Sequence, residues 1–231
     1  LDFLISDSWV FVSFLHFFRK FMMNLRADDF SIQAFVAQIL LHLEKVDHPD
    51  LHKIFHGMLE KSPPLNHPLE TKPPFFQQEL EDSIQGIPAQ TVSLKPGVEY
   101  LANRVYWNDA SRGVPEFTVR GYSFGEIIGK FGAYLHDSMR LGLYVQAPSV
   151  DYPAHAHDAE EFYLILNGHA EWQIDDESHH AEAGSVFHHP PTAGHRMITS
   201  DQPLLALWMW TGAIEGRYWF VGHEEIDCQL K

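Results

Sequence analysis

His155, His157, Glu161 and Tyr163 crowd into one short segment, Ala154-His155-Ala156-His157-Asp158-Ala159-Glu160-Glu161-Phe162-Tyr163, and His195 follows further along the chain. Side chains alternate between the two faces of an extended strand, so His155 and His157 point one way together, as do Glu161 and Tyr163. Two imidazoles, a carboxylate and a third imidazole brought in from a separate strand form a ligand set for one divalent transition metal, with coordination positions left for water or substrate. The chemistry such a set offers is Lewis-acid activation of a small oxygen-bearing molecule.

The elements that would have to position these residues differ between the two ends of the chain. From Asp28 to Val46 the apolar residues Ile32, Phe35, Val36, Ile39, Leu43 and Val46 recur at intervals of three and four, which predicts an amphipathic helix capped by Asp28 or Asp29. His48-Pro49-Asp50 breaks it, a second helix is expected through Leu51, Ile54, Phe55, Met58 and Leu59, and a short third over Phe75 to Gln85. Beyond residue 90 short apolar runs alternate with Gly, Pro, Asn and Asp. Tyr100–Trp107, Phe117–Tyr122, Arg140–Ala147, Glu161–Leu166, Ala170–Ile174, Ser185–His188 and Leu204–Trp210 read as strands of an antiparallel barrel or jelly roll, with residues 124–137 as a helix or bulged crossing. The expected organisation is a helical extension over residues 1–88 followed by a β-barrel over 89–231.

Lys and Arg total 16 against 31 Asp and Glu, a net charge of −15, which repels polyanions and excludes nucleic acid as a partner class. The single cysteine, Cys228, has no internal partner for a disulfide, which suits a reducing cytoplasm. The first 21 residues are rich in Phe, Leu, Ile, Val and Trp, but Asp2, Asp7, His16 and Arg19-Lys20 interrupt them, and the positive charge follows the apolar run where a signal peptide would have it in front. This segment is read as an amphipathic or buried helix and not as a stable membrane span.

The spacing His155-x-His157-x3-Glu161-x6-Gly168 resembles the first motif of the cupin superfamily, and Gly184-x5-Pro190-x4-His195 resembles the second. Ser149, Thr192 and Thr199 depart from that pattern, standing where the motifs usually have Gly, Gly and Asn. The resemblance implies a mainly β fold, the cupin double-stranded β-helix or jelly-roll barrel, here with an N-terminal α-helical extension. Asp151-Tyr152-Pro153 leading into the first motif, His195-Arg196-Met197 in the second, and Asp201-Gln202-Pro203 with Trp210-Thr211-Gly212 after it are similar to the bacterial cupin-type dimethylsulfoniopropionate lyases. That likeness implies a carbon-sulfur lyase that eliminates dimethyl sulfide and leaves acrylate. It implies His157, Glu161 and His195 as ligands of one Zn, Fe, Mn, Co or Ni ion, with His155 as a fourth ligand or close neighbour. Tyr163 is then a metal-contacting base, Tyr152 a second active-site tyrosine, and Trp210 part of the substrate pocket. Tyr144, Trp208 and Trp172 are further aromatic candidates for the sulfonium, a soft cation that aromatic faces hold well.

Two other classes fit the same residues: an iron(II) dioxygenase on three His and one Glu, and a noncatalytic metal- or small-molecule-binding cupin. The doublets His179-His180 and His188-His189 are expected on a hairpin and at a strand exit, outside the metal site. The N-terminal helices are expected to cap the barrel mouth or to form a homodimer contact through Ile32, Phe35 and Ile39.

Overall fold

The computed structural model describes residues 30–66, 70–108 and 121–224. The apolar segment before residue 22, Asp28, Asp29 and Cys228 lie outside them, as does most of the strand expected over Phe117–Tyr122. Among the described residues no helix is long and apolar enough to cross a membrane.

Among the described residues four helices come first: α1 (Ile32–His42), α2 (Pro49–Glu60), α3 (Gln77–Gln85) and α4 (Lys95–Ala102), the last preceded by a 3-10 turn at Val92–Leu94. Ser31 supplies the N-cap of α1, its hydroxyl accepting the Ala34 N–H at 3.3 Å. His48 caps α2, its Nδ1 accepting the Leu51 N–H at 3.1 Å, with Pro49 pre-set for the first turn. Helix α4 replaces the first half of the strand expected over Tyr100–Trp107. Its buried residues, Val98, Leu101 and Ala102, recur at three and four, and that helical spacing prevails over the apparent alternation of Tyr100, Ala102 and Tyr106.

Eleven strands follow among the described residues, in two antiparallel sheets. The first sheet runs β1-β2-β3-β10-β5-β8 and the second β11-β4-β9-β6-β7. In the first, β1 is Trp107–Asn108, β2 Tyr122–Ile128, β3 Arg140–Gln146, β5 Ala159–Asn167, β8 Val186–His189 and β10 Leu204–Gly212. In the second, β4 is Asp151–His157, β6 Ala170–Ile174, β7 Glu177–Ala181, β9 His195–Thr199 and β11 Tyr218–Phe220. Of the segment read as a helix or bulged crossing, residues 124–128 belong to strand β2, with a bulge against β3 between Glu126 and Ile128, and residues 129–137 are bends and loop.

The central strands of the first sheet are buried on both faces, which explains their nearly continuous apolar sequence. Leu141, Leu143 and Val145 of β3, Phe162, Leu164 and Leu166 of β5, and Leu205, Leu207 and Met209 of β10 share one core with Ile32, Phe35, Ile39, Leu51, Phe55, Leu80 and Leu101 of the helices. Ile32, Phe35 and Ile39 are thus spent on the outer face of the first sheet, neither at a barrel mouth nor open to a second copy. The opposite faces of the same strands, carrying Tyr144, Tyr163, Trp208 and Trp210, form a second core with Tyr152, Trp172, Met197, Tyr218 and Phe220. The candidate site lies inside that second core.

Both glycine substitutions noted in the motifs fall on left-handed backbone: Ser149 has φ 59° and Thr192 φ 69°. The Thr192 N–H donates to the His157 carbonyl at 2.8 Å, so the strained turn ties the second motif to the first. Thr199, at the usual Asn position, accepts the Val150 N–H at 3.1 Å and donates to the Ala147 carbonyl at 2.6 Å, anchoring the entry to β4. Gly168 has φ 83°, and a Cβ there would lie 2.0 Å from the Pro203 carbonyl oxygen.

Candidate active site

Strand β4 presents His155 and His157, β5 presents Glu161 and Tyr163, and β9 opens on His195; Tyr163 is 4 % exposed and the other four are 1 to 3 % exposed. The nearest ligand atoms of His157, Glu161 and His195 all lie within 4.8 Å of one another. His157 Nε2 is 3.0 Å and His195 Nε2 3.1 Å from the same Glu161 oxygen, Oε2. The His155 ring packs edge-on against His195, centroids 4.0 Å apart.

The ring nitrogens facing away from the cluster set the tautomers. His155 Nδ1 bonds the Pro153 carbonyl at 2.8 Å, His157 Nδ1 the Ala159 carbonyl at 2.8 Å, and His195 Nδ1 the Ala193 carbonyl at 3.0 Å. A carbonyl only accepts, so each Nδ1 carries a proton and Nε2 is the nitrogen each ring has left to offer a metal. His195 Nε2 is buried and has no hydrogen-bond partner among the described residues. A lone pair on His157 Nε2 facing a carboxylate oxygen at 3.0 Å is repulsive unless a proton or cation sits between them. A divalent cation meets both conditions, so the donor set fits a metal. Burial, followed by repulsion from His195, holds His155 well below the usual imidazole range, which keeps it neutral.

His189 belongs here too, contrary to its expected place outside the site. It is 0 % exposed and lies opposite Glu161 in the β5–β8 register. Its Nε2 accepts the Trp172 indole N–H at 2.9 Å, which leaves the proton on Nδ1 to be donated to Glu161 Oε2 at 3.0 Å. His189 therefore orients the carboxylate and offers no lone pair inward. Trp210 does the same from the other side, its Nε1 donating to Glu161 Oε1 at 2.7 Å. Burial pushes the Glu161 carboxyl up, but the positive charge that His157 carries when doubly protonated, with the donors around the carboxylate, outweighs it and holds it well below its usual value.

The cavity beside this cluster has a volume of about 30 Å³ and is lined by Tyr144, Tyr152, Tyr163, Tyr218, Phe124, Trp208 and Trp210 together with His155, His157, Glu161 and Arg140. The Tyr152 and Tyr218 hydroxyls are 2.7 Å apart, and the Tyr152 ring stacks on Tyr122 at 3.9 Å and on His155 at 4.2 Å. Tyr144 donates to Gln146 Oε1 at 2.7 Å, and burial, with Tyr152, Tyr122 and Glu161 nearby, raises its phenol well above the usual range, so it stays protonated. Tyr163 packs edge-on to Trp172 at 4.9 Å and to Tyr144 at 5.8 Å. Trp208 lines the cavity as expected of an aromatic candidate, while Trp172 lies behind Tyr163 and His189.

Arg140, Tyr218 and His189 were missed as site residues. Arg140 Nε donates to Glu126 Oε2 at 2.7 Å, both groups being buried, and its guanidinium carbon lies 5.1 Å from the Trp210 ring and 5.6 Å from Trp208. The doublet His188-His189 was its own signal, because the pleat must turn one of the two rings inward. His188 faces outward with Glu160, at 2.7 Å, and Glu160 also pairs with His48 Nε2 at 3.0 Å. Since His48 Nδ1 accepts from Leu51, its proton is on Nε2, and this outer trio is a closed hydrogen-bonded latch between the α1–α2 corner and the barrel. His179 and His180 lie on exposed β7, away from the cavity.

The family model for dimethylsulfoniopropionate lyase matches residues 50–206. The chain belongs to the dimethylsulfoniopropionate lyase family. A putative dimethylsulfoniopropionate lyase DddL of Cereibacter sphaeroides is 36% identical over 117 residues, covering 50% of this chain and 49% of the relative. The dimethylsulfoniopropionate lyase DddQ of Ruegeria pomeroyi is 33% identical over 90 residues, covering 38% of this chain and 45% of the relative. The chain thus matches about half the length of these curated relatives. The crystal structure of DddQ from Ruegeria pomeroyi superposes with a TM-score of 0.63 at 20% identity, over 84% of this chain and 99% of that one, and shares the fold.

Proposed function

We propose that this member of the lyase family cleaves dimethylsulfoniopropionate by β-elimination, giving dimethyl sulfide and acrylate. The observation that carries the reading is the convergence of the His157 and His195 ring nitrogens on the Glu161 carboxylate, in a cavity whose remaining wall is mostly aromatic. In this reading His157, Glu161 and His195 hold one divalent transition metal, with His155 beside them and Tyr163 within reach. Such an ion, when bound, would polarise a substrate carboxylate and favour the phenolate of a neighbouring tyrosine.

The chain's own residues do the rest. Tyr163 takes the proton from the carbon next to the carboxylate, the electron pair of that C–H bond becomes the new C=C bond, and the C–S pair departs with dimethyl sulfide. Tyr152, fixed by the Tyr218 hydroxyl, positions the substrate. Tyr144, held protonated by burial, and Trp210 supply aromatic wall for the sulfonium. His189 and Trp210 fix the Glu161 carboxylate so that its ligand oxygen does not swing. A cavity of about 30 Å³ holds an ion and a water or two, so the substrate enters by displacing part of the aromatic wall. A cytoplasmic setting belongs to the same proposal.

The test is headspace detection of dimethyl sulfide, with acrylate measured in solution, from metal-loaded protein and dimethylsulfoniopropionate under strictly anaerobic conditions. Product formation supports elimination. Turnover that appears only when oxygen is admitted replaces the lyase reading with the dioxygenase one, and binding without turnover in either atmosphere replaces it with the noncatalytic one.

A further inference from the structure

We infer that Trp172 is a positioning residue for the candidate metal set, acting through His189 to hold the one Glu161 oxygen that faces the His157 and His195 rings. The inference rests on the proposed role of His157, Glu161 and His195 and deepens it by naming what keeps that set in place. Trp172 is not part of the cavity wall. It sits in the middle of β6, 0 % exposed, with its ring stacked on Phe187 at 4.6 Å and edge-on to Tyr163 at 4.9 Å. The indole nitrogen is a donor that cannot accept, and burial obliges it to find an acceptor. That acceptor is His189 Nε2 at 2.9 Å, on β8 of the opposite sheet.

An N–H aimed at Nε2 leaves no room for a second proton there, so Nδ1 carries the proton and gives it to Glu161 Oε2 at 3.0 Å. For His189 to offer Nδ1 to a cation, its proton would have to move to Nε2 and meet the Trp172 N–H head-on. Trp172 thus keeps out of the ligand set an imidazole that stacks on His195 with centroids 3.9 Å apart, and makes it a one-way donor instead. Trp210 holds the other oxygen, Oε1, at 2.7 Å. With a donor on each oxygen, the carboxylate cannot rotate without breaking a buried hydrogen bond, and Oε2 stays 3.0 Å from His157 Nε2 and 3.1 Å from His195 Nε2. Those two rings belong to the same sheet as Trp172, whereas His189 and Glu161 belong to the other. The relay from Trp172 through His189 therefore fixes how one sheet presents its carboxylate to the imidazoles of its partner sheet. Outer partners of this kind are worth about 10–100-fold in metal affinity.

The test is a double-mutant cycle on cobalt(II) binding by the full chain, using Trp172→Phe, His189→Leu and the two combined. The first keeps an aromatic ring against Phe187 and removes only the N–H, and the second removes both nitrogens of the relay. Affinity is read by competition with a chelator, and the surroundings of the ion by the visible absorption of the cobalt-loaded protein. Trp172→Phe alone should weaken cobalt on the order of 10–100-fold and shift its absorption bands. In the His189→Leu background the same substitution should change affinity by no more than about twofold, because the residue it acts through is gone. An equal loss in both backgrounds makes Trp172 a packing residue and overturns the inference, as does unchanged affinity in Trp172→Phe alone. Should Trp172→Phe fail to fold, nitrogen-15 spectra of the wild-type histidines decide: a proton on His189 Nδ1 supports the relay, and a proton on Nε2 overturns it. Dimethyl sulfide is measured alongside. Its absence from a wild type with an intact cycle counts against the lyase reading alone, whereas a wild type that binds no cobalt overturns the metal set and this inference together.

Discussion

The buried, neutral state of His189 makes a quantitative demand on stability. Burial, and next the adjacent His195, lower its pKa from 6.5 to about 3, so between those values the unfolded chain binds a proton that the folded chain does not. Stability therefore rises with pH through this window and is lost as pH falls below about 6.5, the sign expected for a histidine buried uncharged. At about pH 5 the unfolded group is mostly protonated and the folded one hardly at all, which amounts to about 2 kcal/mol from this residue relative to about pH 7.5. The assay is urea unfolding of the metal-stripped protein at those two pH values, for wild type and His189→Gln. The variant is less stable overall because Trp172 and Glu161 lose their partner, but its pH dependence should be shallower by about 2 kcal/mol. Glu161, held low by its donors, adds a loss of the same sign only at more acidic pH, and both proteins share it. Equal pH dependence in the two proteins would refute the placement of His189 as a buried, uncharged donor to Glu161.

His195→Ala, which removes the orphaned Nε2, should lower metal content by elemental analysis well below that of wild type after matched purification; equal content would mean the site is misassigned. Tyr163→Phe should keep the metal but lose on the order of 10²–10⁴ in turnover, as for a positioned proton acceptor, with Tyr152→Phe losing less. Near wild-type elimination by Tyr163→Phe, with Tyr152→Phe inactive, would reverse the two roles. Thr192→Gly relieves left-handed strain of about 1–2 kcal/mol at the cost of about 0.5–1 kcal/mol of chain entropy, so thermal unfolding should move up by a few degrees. Ser149→Gly should gain less, because its hydroxyl donates to the Ser200 carbonyl at 3.0 Å and that bond is lost.

The strands that carry the ligands were legible because alternation and motif spacing act locally: Ala170–Ile174 is a strand with the expected bounds, and Arg140–Ala147 and Leu204–Trp210 differ from β3 and β10 only at their ends. The shared face of His155 and His157, and that of Glu161 and Tyr163, followed from the same alternation, whereas His195 came from the spacing of the second motif. What could not be read depends on register between distant strands. Arg140 becomes a cavity residue only because β3 pairs with β10 at Trp210, and Tyr218 only because β11 lies beside β4 opposite His157. Helix α4 was missed because eight residues containing Pro96 and Gly97 make a weak intrinsic helix, stabilised by burying Val98 and Leu101 against the other helices. The destination of the α1 face was equally nonlocal: nothing in Ile32, Phe35 and Ile39 says which surface will cover them.

The doublets Glu160-Glu161 and His188-His189 leave the ligand residues a poor judge of their own alignment. A slip of one residue on β5 and β8 would still offer the cavity an acid and an imidazole, Glu160 and His188 in place of Glu161 and His189. What such a slip cannot reproduce is the company they keep. Phe162 and Leu164 would turn away from the helices, and Tyr163 and Ile165 would be driven out of the cavity into the helix-facing core. A chain caught in that arrangement would be a decoy, with an acid and an imidazole in the cavity but Tyr163 facing the wrong way. Proofreading of the candidate site thus falls to the helices on the far side of the sheet, which accept only the register that gives them Phe162 and Leu164.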